Sequence, residues 1–177
     1  MGNWQDALIL KEEVRKLDAE SDSAKKAKNW GTVRDNERTK SQKFKAFANR
    51  YSNADIQKWI GANEFDQDTI LFTEFFGGYL ALSNLTTSQI RNVFGEVKRM
   101  EMQQDFPNDK LLLLKARLAY NTKRNGTEGS RAFQEKIEVA IDEIFGGNDL
   151  KSKKERFEKF NLFFEAILAY HRAYGGK

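Results

Sequence analysis

Cysteine is absent from the 177 residues, which removes disulfides, thiolate nucleophiles and cysteine-ligated zinc at once. Extracellular scaffolds of this size usually carry disulfides, so an intracellular, cytoplasmic location is expected. Proline occurs once, at Pro107, and little else in the chain interrupts a helix. Histidine also occurs once, at His171. No H-x-x-x-H metal pair can therefore be written, and neither a Gly-x-Ser-x-Gly turn nor a glycine-rich phosphate loop is present. The apolar stripes carry none of the inward carboxylates that a two-metal nuclease needs. No apolar run approaches the roughly 18 residues that cross a bilayer. The N-terminus Met1-Gly2-Asn3-Trp4-Gln5-Asp6 lacks the basic region and apolar core of a signal peptide, and Asp6 stands where a myristoylation site has Ser or Thr. These absences argue against catalysis, a resident metal or cofactor, and a membrane location.

What remains is helical periodicity nearly everywhere and strand alternation nowhere. Trp4, Ala7, Leu8, Val14 and Leu17 mark a first amphipathic helix that ends in the Ser21-Asp22-Ser23 cluster. Residues 24–43 have almost no apolar face, which predicts a segment that is mobile or helical only on contact. Phe44, Phe47, Ala48 and Tyr51 resume the stripe, Asn53 can cap a short helix carrying Ile56, Trp59 and Ile60, and Gly61 ends it. Phe72, Phe75, Phe76, Tyr79 and Leu80 give another helix, with Gly77-Gly78 as a close-packing notch or kink. Thr86 to Gln89 has capping-box spacing, and Ile90, Val93, Phe94 and Val97 then form one inward stripe of a helix reaching about Gln104. This helix is expected at the centre. Asn108 caps the next, where four consecutive leucines from Leu111 to Leu114 predict burial on more than one side and a place central to the bundle, with a left-handed stop at Asn125-Gly126. Glu128 to Phe145 and a last helix opened by Ser152-x-x-Glu155 complete an all-α, compact bundle of about five or six helices. Residues 1–50 read as an N-terminal helical extension, basic from 25, and 51–177 as the main domain.

Charge is distributed in blocks. Residues 1–24 carry three basic and six acidic side chains, residues 25–50 nine and two, residues 51–83 one and five, and residues 86–124 eight and four. Two basic blocks with an acidic one between them suit a polyanion partner; a lysine-rich face that only keeps the protein in solution is the competing reading. Within the second block, Arg91 and Lys98 lie seven residues apart on one exposed line, with Gly95 between them and Arg99 beside them. Lys110, Arg117 and Arg124 form a second line containing Asn121, with successive charges about 10 Å apart along the axis. Lys115 and Lys123 flank it, and Arg172 can join if the helices pack antiparallel. Rigid helices with spaced cations fit a nucleic-acid backbone, which rewards charge without being read for sequence. Tyr120 and Tyr170 could stack on bases; packing is the favoured reading. His171, on the last apolar stripe, reads as a packed core histidine.

Three blocks carry a resemblance. They are Leu85-Thr86-Thr87-Ser88-Gln89-Ile90-Arg91-Asn92-Val93-Phe94-Gly95-Glu96-Val97, Leu112-Leu113-Leu114-Lys115-Ala116-Arg117-Leu118-Ala119-Tyr120, and Phe163 to Gly176. In order and spacing over roughly residues 50–177 they resemble the small α-helical subunit of type III-A CRISPR effector (Csm) complexes. Lys115-Ala116 replaces a more usual lysine-proline or arginine-proline, which leaves the helix uninterrupted, and residues 1–50 lie outside the resemblance. It implies a non-catalytic subunit present in several copies that stack beside the guide-carrying backbone. Such a subunit would line the channel for guide RNA and target RNA and contact other subunits of the complex and neighbouring copies of itself. Base pairing would carry specificity while protein holds the A-form backbone. By position, Arg91, Lys98, Lys115, Arg117 and Arg124 become the expected backbone contacts; Lys110 and Lys123 belong to the same set, with Arg99 and Arg172 as further candidates. The alternative is a helical interaction module whose basic stripes meet acidic protein surfaces.

Overall fold

Residues 2–62 and 65–176 are described by the computed structural model, and they form eight helices and no strand. These are α1 (Gly2–Lys26), α2 (Trp30–Ala48), α3 (Asn53–Gly61), α4 (Gln67–Leu82), α5 (Thr87–Glu101), α6 (Asn108–Asn125), α7 (Glu128–Phe145) and α8 (Leu150–Ala173). The all-α expectation holds, but about five or six helices plus an extension undercounts them. Residues 2–48 make two separate helices, and both pack against the remaining bundle.

The centre is α4, not the helix after Thr86 or the leucine-rich helix after it, for both of which the sequence predicts a central place. Asp66 and Thr69 form a capping box at its start, and Leu71, Phe72, Phe75, Phe76, Tyr79 and Leu80 are all buried. A helix apolar on every side must be covered on every side; here α1, α2, α7 and α8 do so. Phe72 stacks on Phe76 at 5.1 Å and on Phe163 of α8 at 5.8 Å. The expected notch is real. A Cβ on Gly77 would lie 2.8 Å from the Ile167 carbonyl oxygen of α8, and one on Gly78 would lie 2.7 Å from the Phe44 ring of α2. The two glycines let α8 and α2 approach α4 closely.

Of the two forms expected for residues 24–43, mobile or helical on contact, the structure has the second: α2 is helical from Trp30 and packs on α1. Its few buried groups are tied to α1: the Asn36 side-chain amide donates to the Leu17 carbonyl and the Ser21 hydroxyl. Ion pairs Lys43–Glu13 at 2.8 Å and Arg50–Asp6 at 2.7 Å add to Lys40–Asp18. Phe44, Phe47 and Ala48 then enter the common core. The acidic first block and the basic second block of the sequence therefore meet each other across one helix pair.

α6 departs most from expectation. Leu111, Leu114 and Leu118 are buried, whereas Leu112 and Leu113 are 51% and 55% exposed. Four consecutive leucines wrap most of the way round a helix, and only the i, i+3, i+7 set can face one neighbouring layer. The helix lies at the edge, against α5 and α7. Local caps also differ. Ser52, not Asn53, caps α3 in a box with Asp55, Asp149 caps α8 three residues before Ser152, and Asn108 opens α6 after Pro107 without capping it. The Thr86–Gln89 box on α5 and the left-handed Gly126 after α6 are as expected. Among the described residues, no helix is long and apolar enough to cross a membrane.

Candidate nucleic-acid interface

α5 and α6 each present one apolar stripe inward: Ile90, Val93, Val97 and Met100 on α5, and Leu111, Leu114 and Leu118 on α6. Their outer edges meet along a shallow seam. At one end Asn92 of α5 and Arg124 of α6 line a cavity of about 100 Å³. At the other, Arg99 and Gln103 face Lys110, Leu113 and Arg117 across a groove of about 330 Å³. The helices thus run antiparallel. Between the two ends, the Arg117 guanidinium donates to the Glu96 carboxylate at 2.7 Å.

Four of the nine expected cations, Arg99, Lys110, Arg117 and Arg124, therefore share one face. Arg99, Lys110 and Arg124 are exposed and have no ion-pair partner among the described residues. Arg117 is paired, but its side chain is 60% exposed, and an ion pair that open to water contributes under about 1 kcal/mol. A phosphate could displace Glu96 at little cost. Arg124 also sits 6.0 Å from the Tyr120 ring centroid.

The other five are distributed elsewhere. Lys98 turns toward α8, bonding Glu101 at 2.9 Å and Glu165 at 3.3 Å. The hydrogen bond it donates to Glu101 is the main reason its ammonium pKa lies above the ordinary lysine value. Lys115 pairs with Asp142 of α7. Arg91 and Lys123 are exposed on α5 and α6 but line neither cavity. Arg172 is exposed on α8, which packs on α3, α4, α5 and α7, and it too lines neither cavity. The exposed line drawn through Arg91 and Lys98 is thus broken by the acids that hold Lys98.

Sequence reasoning missed Asn92 and Gln103, whose amides line the same seam. The signal was present, because Gln89, Asn92, Glu96, Arg99 and Gln103 follow the same seven-residue repeat as an interaction edge. Tyr120 corrects the packing expectation, being 65% exposed. Tyr170 agrees with it: it is half-buried, and its Cβ lies against Gly77.

His171 is fully buried, with Nε2 2.8 Å from the Leu85 carbonyl oxygen. That contact makes Nε2 the protonated nitrogen, and burial keeps the ring's pKa below the usual histidine value. It is a core residue, as its stripe predicts. Neighbouring carboxylates on α7 and α8 have structural partners: Asp142 binds Lys115, Glu143 binds Arg156, and Glu155 lies 3.9 Å from Lys151. Among the described residues, no three His, Cys, Asp or Glu side chains gather as metal ligands.

Neither the curated proteins nor the solved structures contain a match to this chain. Residues 63–177, which hold α4 to α8 and with them the whole α5–α6 face, match the family model described as Csm2 Type III-A, and the chain therefore belongs to that family.

Proposed function

We propose that this protein, a subunit of the type III-A CRISPR complex by its family, is a non-catalytic RNA-binding and assembly subunit of that ribonucleoprotein. Its α5–α6 face would lie along the guide–target RNA and hold the backbone without reading sequence. The observation that carries this reading is the gathering of Arg99, Lys110, Arg117 and Arg124 on one stiff seam, three of them without an internal acid. Spaced cations on rigid helices give affinity that depends on salt and not on bases. Sequence selection is then left to pairing with the guide. Leu112 and Leu113, exposed beside that seam, are the apolar surface suited to a neighbouring copy or another subunit.

The same leucines favour the competing reading, a helical module whose cations meet acidic protein. Salt dependence separates the two. In the variant R99Q/K110Q/R117Q/R124Q, single-stranded RNA should bind weakly, with a log K versus log salt slope shallower by roughly 2 to 3 units, at about 0.7 per lost phosphate contact. The loss should be equal for unrelated RNA sequences. Wild-type affinity and slope in the variant would assign this face to protein.

A further inference from the structure

The N-terminal hairpin of α1 and α2 lies outside the family match and has its own charge pattern. Toward its root, the cations of α2 and of the turn after it are used up within the chain: Lys40 binds Asp18, Lys43 binds Glu13, Lys45 binds Glu128 and Arg50 binds Asp6. Toward its tip they are not. Lys26, Lys28, Arg34 and Arg38 have no ion-pair partner among the described residues, although Asp35 and Glu37 stand nearby in the chain. Trp30, at the same tip, is 59% exposed. Four residues is close to one helical turn, so Trp30 and Arg34 share a side of α2, with Arg38 one turn further on.

The turn between the helices adds a separate observation. The Asn29 amide donates to the Ala24 carbonyl and the Lys28 amide to the Lys25 carbonyl, a Schellman closure of α1. In that motif the residue at Lys28 is left-handed, and here its φ is +56°. Glycine fits that position without strain, whereas a lysine there is a strained choice. The chain keeps a charge at the point of the hairpin where the backbone would favour none.

We propose that this tip is a second contact for single-stranded RNA, in which Trp30 stacks on a base while Lys26, Lys28, Arg34 and Arg38 hold flanking phosphates. An exposed aromatic ring set among unpaired cations is the arrangement that sequence-tolerant single-strand binders use. The inference rests on the RNA-binding reading of the protein and extends it to a part of the chain the family match does not cover. Glu37, on the same side of α2, opposes the approach of phosphate and limits the affinity of the site.

The test uses the full chain carrying Trp4→Phe, because Trp4 is also exposed whereas Trp59 is buried. Binding of a labelled single-stranded RNA of mixed sequence is followed at low salt, together with tryptophan emission. RNA should quench Trp30. Trp30→Ala should weaken binding about 5- to 100-fold, the range for one lost base stack, while leaving the salt slope unchanged, since no charge is removed. Trp30→Phe should recover part of the loss. Lys28→Gly should weaken binding without lowering the melting temperature, and Glu37→Gln should tighten binding. The α5–α6 variant above, run alongside, should lose slope yet keep the quenching. If Trp30→Ala binds as wild type while the α5–α6 variant is weakened, the tip proposal is overturned and the RNA reading stands. If wild-type protein binds no RNA at low salt, both are overturned. Polyglutamate competing as well as RNA at equal ionic strength would assign the tip to an acidic protein and overturn the proposal.

Discussion

Gly77 and Gly95 both sit inside helices, and the same substitution should have opposite effects at the two positions. Glycine in a helix interior is worse than alanine by about 1 kcal/mol, so propensity favours alanine equally at both. At Gly95 the new Cβ would meet only an Arg99 guanidinium nitrogen, at 3.6 Å, an ordinary contact with a flexible group. Gly95→Ala should therefore stabilise the protein by about 1 kcal/mol, raising Tm by roughly 2–4 °C at this size. At Gly77 the Cβ would lie 2.8 Å from the Ile167 carbonyl oxygen and 2.9 Å from the His171 amide nitrogen. Both are backbone atoms of α8, so neither can swing aside. Overpacking of this kind costs about 1–3 kcal/mol, and rigid neighbours place it in the upper half of that range. Moving α8 also disturbs the His171–Leu85 hydrogen bond, at about 1 kcal/mol. After the propensity gain, Gly77→Ala should be destabilised by about 2 kcal/mol, lowering Tm by roughly 4–8 °C. Thermal unfolding followed by far-ultraviolet dichroism measures both variants. A Gly77→Ala protein at least as stable as wild type would refute the claim that this glycine sets the α4–α8 distance.

Because burial holds the His171 pKa below its ordinary value, the unfolded chain takes up that proton first as pH falls. The contribution is complete above the unfolded pKa near 6.5 and is lost below it, by at most about 1.4 kcal/mol per pH unit. Urea midpoints between pH 7.5 and 5.5 should therefore fall more steeply for wild type than for His171→Gln; parallel profiles would contradict the buried neutral ring. Glu74 is buried on α4 and binds the Lys11 ammonium at 2.7 Å and the Tyr174 hydroxyl at 3.0 Å. Glu74→Ala should lower stability by about 1–3 kcal/mol by leaving two half-buried partners unmatched, with Glu74→Gln recovering part of it in the same urea titration.

Fold class was legible because helical periodicity is a local property, carried by spacings such as Ile90, Val93 and Val97. Which helix lies at the centre was not. The Leu111–Leu114 run is more apolar by eye than the stretch around Gly77-Gly78, yet α6 lies at the edge and α4 is enclosed. The deciding quantity is how many other helices carry stripes that can cover a given one, and that is a property of the whole chain. What residues 24–43 would make contact with was hidden for a related reason. Their helix is held by acids 22 and 30 residues away, Asp18 for Lys40 and Glu13 for Lys43, and a local window sees the cations but not their partners. The candidate site was half legible. The seven-residue spacing of Lys110, Arg117 and Arg124 survives intact, while Lys98 and Lys115 were lost to Glu165 and Asp142 on neighbouring helices.

The enclosure of α4 has a consequence for how the protein is made. Phe72 reaches its stacking partner Phe163 only after about 90 further residues have been synthesised, roughly 5–20 s at ordinary rates of translation. During that interval the phenylalanine face of α4 has α1 and α2 for shelter but lacks α8, the neighbour that fills the Gly77 notch. An apolar helix left open for seconds is a binding site for chaperones and for other unfinished chains. Yield should therefore depend on expression temperature and chaperone supply more than the stability of the finished bundle would suggest.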